Sequence, residues 1–154
     1  MGMIEIIPFT EDKKEHIKVL NYEWLQKYFT VEPNDVIQLS DPVKEIANKG
    51  GLIFYATYNN EIVATYSLMK ITDTEYELAK MAVTEKCKSL GIGKMMMEHS
   101  IKEAIKLGAK ILSLYSNTKL VAAIHLYCKY GFEEVPLPSA VHYERANIKM
   151  KKKL

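Results

Sequence analysis

Short apolar residues alternate around Glu5 from Met3 to Pro8, and this period of two predicts a first strand. From Thr10 to about Lys27 the spacing lengthens to that of a helix. Ile17, Leu20, Trp24 and Leu25 recur on one face, Thr10 stands as a cap, and Glu11 and Asp12 fall in the first turn. A second helix is expected to open at Ser40-Asp41-Pro42, with Ser40 or Asp41 as cap and Pro42 in its first turn, and to stop at Gly50-Gly51. The period then returns to two. Leu52–Tyr58 and Glu61–Met69 read as a hairpin closed by Asn59-Asn60, and Tyr76–Val83 follows as a further strand. After the loop Thr84–Leu90 comes a long helix, about Gly91 to Leu107. It places Ile92, Met96, Ile101, Ala104 and Ile105 inward and ends at Gly108. Lys110–Tyr115 reads as a strand and Lys119–Lys129 as a helix stopped by Gly131. Phe132–Val135 and Val141–Met150 close the series as strands.

A strand meander followed by strand-helix-strand-helix predicts an α/β chain with a mixed sheet and helices on both faces. The pattern gives about seven strands and four helices. No linker or repeat interrupts it, so residues 1–154 read as one domain. Net charge is +2 with both signs interspersed, which argues against a nucleic-acid partner; the basic run Lys149 to Lys153 reads as a solvated tail. The apolar runs are too short for a membrane span. Cys87 and Cys128 have neither metal-ligand nor disulfide spacing, and no signal peptide precedes the first strand, which together point to the cytoplasm. His16, His99, His125 and His142 lack partners at ligand spacing, so no metal is expected. Met95, Met96 and Met97 read as core filling.

The stretch from Glu77 to Met97 carries the chemistry. An apolar strand runs through a loop into a helix that opens at Gly91-Ile92-Gly93. Such a turn suits an anion. The first helical N–H groups lack acceptors, the helix dipole adds positive charge, and glycines let a phosphate approach the backbone. Lys86, Lys88 and Lys94 surround it. Two nucleotide motifs fail on spacing. Met95 stands where a Walker loop needs Ser or Thr, and Met96 where the dinucleotide fingerprint needs its last glycine or alanine.

The run Lys88-Ser89-Leu90-Gly91-Ile92-Gly93 resembles motif A of the GNAT acetyltransferase superfamily, [Gln/Arg]-x-x-Gly-x-[Gly/Ala], with Lys88 keeping the charge of the first position. Downstream, Ala123-Ile124-His125-Leu126-Tyr127-Cys128-Lys129-Tyr130-Gly131-Phe132 is similar to motif B, A-x-x-L-Y-x-x-x-G-F. The order of elements is similar to that fold across nearly the whole chain. The resemblance implies acetyl-CoA as co-substrate, held by Met81, Ala82 and Val83 along the pantetheine arm and by Lys88, Ser89, Leu90, Gly91, Ile92, Gly93 and Lys94 at the pyrophosphate. It implies an amine acceptor from a small molecule, amino acid or peptide, and leaves a homodimer open. The family's motif B asparagine is Leu120 here, so Asn117 is the candidate amide in its place.

Acyl transfer to an amine needs a base, a stabilised oxyanion and a proton for the departing thiolate. Tyr127 matches the motif B tyrosine and is the candidate acid. Glu77 is the candidate base, at the spacing before Gly91 used in the histone-acetyltransferase branch. Counting by twos puts Glu77, Ala79, Met81 and Val83 on one strand face. Alternatively Glu77 is salt-bridged, with Lys80 as a partner, and a water chain serves as base. The resemblance places the acceptor groove in roughly Trp24 to Asp41 and Pro136 to Arg145, with Trp24, Tyr28, Phe29, Tyr143, Glu144 and Arg145 as lining candidates; aromatic and charged groups there suit a substrate with an amine and a carboxylate. Two further readings stay open: a non-catalytic acyl-CoA sensor, and transfer of a larger acyl group.

Overall fold

The computed structural model describes residues 2–154. Seven strands form one sheet in the order β1-β2-β3-β4-β5-β7-β6. They are β1 (Ile4–Pro8), β2 (Leu52–Tyr58), β3 (Glu61–Lys70), β4 (Glu75–Val83), β5 (Ile111–Ser116), β6 (Glu133–Val135) and β7 (Ile148–Lys153). Every neighbouring pair is antiparallel except β4 with β5. Five α-helices, not four, accompany them: α1 (Glu15–Tyr28), α2 (Pro33–Ser40), α3 (Pro42–Glu45), α4 (Ile92–Lys106) and α5 (Val121–Lys129).

Strand alternation sorts two cores. Ile53 and Tyr55 face Ile17 and Leu25 of α1, Leu39 of α2 and Ile46. Ala56, Tyr66 and Leu68 face Ile92, Met96, Met97 and Ala104 of α4 on the opposite side. β3 is buried from Val63 to Leu68 because helices cover both its faces. Each large apolar side chain removed from water here contributes roughly 1.5–3 kcal/mol.

Several expectations change. Residues 33–40 form α2, a helix between the two expected ones. Its start is a capping box made from two acids: Glu32 takes the N–H of Asp35's turn position and Asp35 Oδ2 accepts Glu32 N at 2.9 Å. Asp41 then caps α3 by accepting Lys44 N at 3.2 Å, so the expected second helix is the short continuation of a longer pair. Thr10 makes no side-chain cap; a 3-10 turn over Glu11–Lys13 precedes α1. Ile105 is 55% exposed rather than inward. The last strand starts at Ile148, and residues 141–147 are irregular. The terminal lysines are therefore not a solvated tail. They lie in β7, between β5 and β6, where Ile148 and Met150 are buried and Lys149 and Lys151 alternate with them. Lys151 Nζ reaches Glu75 Oε1 at 3.3 Å, and Lys149 Nζ lies 5.1 Å from the Tyr115 ring centre.

Two irregularities in β4 shape the site. Ser67 pairs with Ala79 but Thr65 pairs with Ala82, so Lys80 and Met81 together oppose Tyr66 in a β-bulge. The bulge flips the parity of the strand: Ala82, not Met81, continues the face of Glu77 and Ala79. The count by twos fails at that point. Beyond Glu77, β4 also parts from β5. Their parallel pairing covers only Glu75–Glu77 against Ile111–Ser113.

Candidate functional site

β5 stays paired with β7 to Ser116 while β4 turns away from it, so residues 78–83 present a backbone edge without a strand partner toward β5. The cleft between them opens into a cavity of about 890 Å³. That volume is ample for a long, thin ligand arm with a second small molecule beside it. Met81, Ala82 and Val83 line the cleft, as do Lys88, Ser89, Gly91, Ile92 and Gly93 at its mouth. Lys94 is exposed on α4, and Leu90 is 43% exposed; neither lines the cavity.

The mouth is built from backbone. Ser89 and Gly91 take φ of +78° and +79°, which turns the chain sharply into α4. A Cβ placed on Gly91 would meet nothing within 4 Å, and one on Gly93 only Leu126 Cδ2 at 4.0 Å. The space beside both glycines is thus a cradle that side chains would fill. Glu23 of α1 fixes the loop before it, accepting Thr84 Oγ1 at 2.8 Å and Glu85 N at 2.9 Å. An anionic pyrophosphate fits the open glycines, the free helix N–H groups and the neighbouring Lys88.

Glu77 and Tyr127 line the same cavity. Burial pushes the Glu77 carboxyl above the usual carboxylate range, with Lys80 and Lys149 opposing the rise. Burial also pushes the Tyr127 phenol up to about 12, with Ser116 acting the other way. Its ring packs edge-on against Phe132, centres 6.0 Å apart. Asn117 lines the cavity too, but both ends of its amide are engaged. Nδ2 donates to the Arg145 carbonyl at 2.7 Å, and Oδ1 accepts Lys119 N at 2.8 Å. It ties β5 to the 143–147 segment.

Trp24, Tyr28, Phe29, Tyr143 and Arg145 all border the cavity, at the end where α1 and α2 approach β4. Trp24 and Phe29 meet edge-on at 6.2 Å, and Trp24 Nε1 donates to Asn21 Oδ1 at 3.1 Å. Glu144 is exposed, and its N–H donates to Glu32 Oε1 at 2.9 Å. Arg145 is spoken for: Nη1 and Nη2 make 2.7 Å bonds to the two oxygens of Asp35, and Nη1 reaches Glu32 at 3.2 Å. Its plane lies over the Tyr143 and Trp24 rings, 4.2 and 5.7 Å from their centres. The fully buried Asp35 makes this a bidentate ion pair shielded from water.

Sequence reasoning gave no acceptor role to three residues of this wall: Asp35 and Gln38, which fall inside the expected groove segment, and Lys80, which entered only as a partner for Glu77. Glu32 stands behind them on Arg145. Lys80 sits on the bulge with φ +57°, and its side chain is 7% exposed. Its ammonium donates to Tyr143 Oη at 2.6 Å, and that hydroxyl donates onward to Gln38 Oε1 at 2.7 Å. Burial pulls the Lys80 ammonium down to about 8, with Asp35 opposing and Arg145 reinforcing the fall. A bulge on a half-buried strand next to a glycine-opened helix is the available signal. It gives no hint of which residue the bulge re-aims.

A model of the acetyltransferase (GNAT) family matches residues 17–132, three quarters of the chain. The chain belongs to the acetyltransferase (GNAT) family. It is 30% identical over 101 residues to the uncharacterized N-acetyltransferase YvbK of Bacillus subtilis, covering 64% of this chain and 65% of that relative. The chain thus spans just under two thirds of the length of that curated relative. Its fold is similar to a GNAT-family acetyltransferase from Staphylococcus aureus Mu50, with a TM-score of 0.88, 23% identity and 98% and 99% of the two chains covered. A GNAT-family acetyltransferase from Elizabethkingia anophelis, solved with acetyl-CoA bound, superposes with a TM-score of 0.66 at 24% identity, covering 98% of each chain. The two stretches that resemble the family's motifs meet at one cavity, with Gly91-Ile92-Gly93 at its mouth and Tyr127 on its wall. Among the described residues no group of three or more His, Cys, Asp or Glu could hold a metal, and no helix is long and apolar enough to cross a membrane.

Proposed function

We propose that this chain is an acetyl-CoA-dependent N-acetyltransferase, working as one domain over residues 1–154, that acylates a primary amine by direct attack. The observation that carries this reading is the cleft between β4 and β5. It runs from the open Gly91–Gly93 cradle to a cavity in which Glu77 and Tyr127 both stand. The E. anophelis neighbour binds acetyl-CoA, which supports the same ligand here. When bound, acetyl-CoA supplies an activated acyl carbon whose thiolate is the leaving group.

This chain's residues supply the rest. The unpaired edge of residues 78–83 holds a pantetheine arm as a further strand would be held. Glu77 takes a proton from the acceptor ammonium, so that the neutral amine can attack. Its raised pKa brings it closer to working pH as a base. Tyr127 keeps its proton at every physiological pH, because its pKa is near 12, and gives it to the departing thiolate; the surplus proton on the nitrogen of the collapsing adduct returns to the phenolate, and the proton on Glu77 is released to solvent. Among the described residues, exposed Cys128 and buried Cys87 are both free thiols, and this reading gives neither a covalent role.

Thiol release from acetyl-CoA over a panel of primary amines, with the product's mass gain of one acetyl group, tests this. Tyr127→Phe should lower kcat about 10²-fold, the lower range for a general acid, and leave CoA affinity nearly intact. Tight acetyl-CoA binding without turnover on any amine would establish a sensor instead. Absence of any thermal stabilisation by CoA would remove both readings.

A further inference from the structure

The acceptor end of the cavity contains three cationic side chains among the described residues: Arg145, Lys49 and Lys80. Two are already neutralised. Arg145 gives its fork to Asp35 and Glu32. Lys49 Nζ is bound to Glu45 Oε2 at 2.8 Å. Lys80 differs. Its one hydrogen bond goes to Tyr143 Oη, a phenol whose own proton is directed at Gln38. Burial holds that phenol well above its ordinary range, so it stays neutral. The nearest carboxylate oxygen, Asp35 Oδ1, is 3.9 Å away and already accepts Arg145 Nη2 at 2.7 Å. An ammonium has three donors, so two of those on Lys80 make no hydrogen bond among the described residues; the ammonium otherwise has only the long contact to Asp35 and the Tyr143 ring, 4.7 Å from its centre.

A buried, under-bonded charge carries a desolvation cost that a protein rarely leaves in place without a use for it. Here the position is also strained. A non-glycine residue at φ +57° costs on the order of 1 kcal/mol. The bulge is held in place from behind: the Lys80 carbonyl accepts Asn21 Nδ2 at 3.2 Å, and the same buried amide group donates to Ile17 O at 2.9 Å. The bulge therefore aims one cation into the cavity and fixes it there. Glu77 lies three residues earlier on the same strand and faces the same cavity. One carboxylate and one ammonium at the end of a cavity complement a molecule carrying both an ammonium and a carboxylate.

Resting on the acetyltransferase reading above, we propose that Lys80 binds the carboxylate of the acceptor, so that the substrates are amino-carboxylates: free amino acids or compounds with the same pair of groups. This relocates the carboxylate anchor from Arg145, whose fork is filled, to Lys80.

The test uses free amino acids, each matched with its carboxamide and with its decarboxylated amine. In the wild type, kcat/KM should favour the carboxylate form by roughly 10–100-fold, the value of a charge-assisted hydrogen bond in a partly buried site. In Lys80→Met that ratio should fall to near one, mainly through KM, and Lys80→Arg should restore part of it. A ratio near one in the wild type, or an undiminished ratio in Lys80→Met, overturns the proposal. Binding of the same amino acids to the CoA-saturated protein, followed by calorimetry, separates this proposal from the reading beneath it. Lys80-dependent binding of the carboxylate form without turnover sustains the anchor and defeats the enzyme. Turnover of decarboxylated amines alone sustains the enzyme and defeats the anchor. Neither binding nor turnover defeats both.

Discussion

Asp35 holds the acceptor wall together, and its removal has a calculable cost. It is fully buried, forms two 2.7 Å bonds to Arg145, and accepts Glu32 N at 2.9 Å at the start of α2. Asp35→Ala leaves the Arg145 guanidinium, 13% exposed, with Glu32 alone at 3.2 Å. Breaking a buried pair by deleting one partner costs about 3–5 kcal/mol; with Glu32 still present we expect about 3. A chain of this size loses about 2–4 °C in Tm per kcal/mol, so Tm should fall by about 6–12 °C. Urea unfolding should show the same loss as a lower midpoint at unchanged slope. Arg145→Met removes the other charge and leaves Asp35 buried beside Lys80. The double variant Asp35→Ala with Arg145→Met carries no unpaired charge at this pair. It should be more stable than the sum of its singles by about 2 kcal/mol or more. Additive singles, or an Asp35→Ala loss under about 1 kcal/mol, would falsify the view that this ion pair is a closed structural unit. Arg145 would then be free to meet substrate.

Two further expectations concern the reaction. Burial raises the Glu77 pKa, so the rate should fall as pH drops through that raised value, and Glu77→Gln should abolish this limb along with most of kcat/KM. The stability sign is opposite. A carboxyl with a raised folded pKa favours folding below the ordinary carboxylate range and loses that contribution as pH rises through the folded value, so Glu77→Gln should raise Tm at neutral pH. A variant with lower Tm at pH 7 and an unchanged pH profile would contradict the burial argument. Gly91→Ala forces an L residue to φ +79° at a cost of about 1 kcal/mol, while its methyl meets no protein atom within 4 Å. Its stability loss should therefore be small and its CoA affinity, by calorimetry, should drop about tenfold or more. Unchanged affinity would mean that the open space beside Gly91 does not hold the ligand.

The donor half of the cavity was legible because its signals are local. Gly91-Ile92-Gly93, Lys88 and the strand before them lie within one short stretch, and turn chemistry alone predicts the helix start. The strands from Leu52 to Val83 were equally readable as apolar runs bounded by turn signals, although β3 is buried on both faces and β4 loses its period of two at the bulge. The terminal lysines misled for a physical reason. In β7 their long apolar stems pack along a paired strand while the ammonium groups reach out, to Glu75 and over Tyr115. A charge run therefore looks like a tail even when Ile148 and Met150 beside its first lysine are buried.

The acceptor half was illegible because nothing local encodes it. Lys80 meets Tyr143 across 63 residues of chain, Tyr143 meets Gln38 across 105, and Arg145 meets Asp35 across 110. Asp35 also looks like an ordinary first-turn acid, since a capping box usually pairs Ser or Thr with Glu, and here two acids share the task. The bulge is the decisive case. An ideal strand would send Lys80 to the face opposite Glu77 and Ala79, and period-two counting puts it there. One extra residue in β4 changes the parity, makes Ala82 the continuation of the Glu77 face, and turns Lys80 toward the cavity wall. The bulged register is held by distant bonds: Asn21 Nδ2 donates to the Lys80 carbonyl, and the Lys80 ammonium donates to Tyr143 Oη. The donor site is thus written in a motif, while the acceptor site is written in the tertiary contacts that stabilise a strained strand. Substitution at Asn21 should for that reason disturb acceptor use before it disturbs CoA binding.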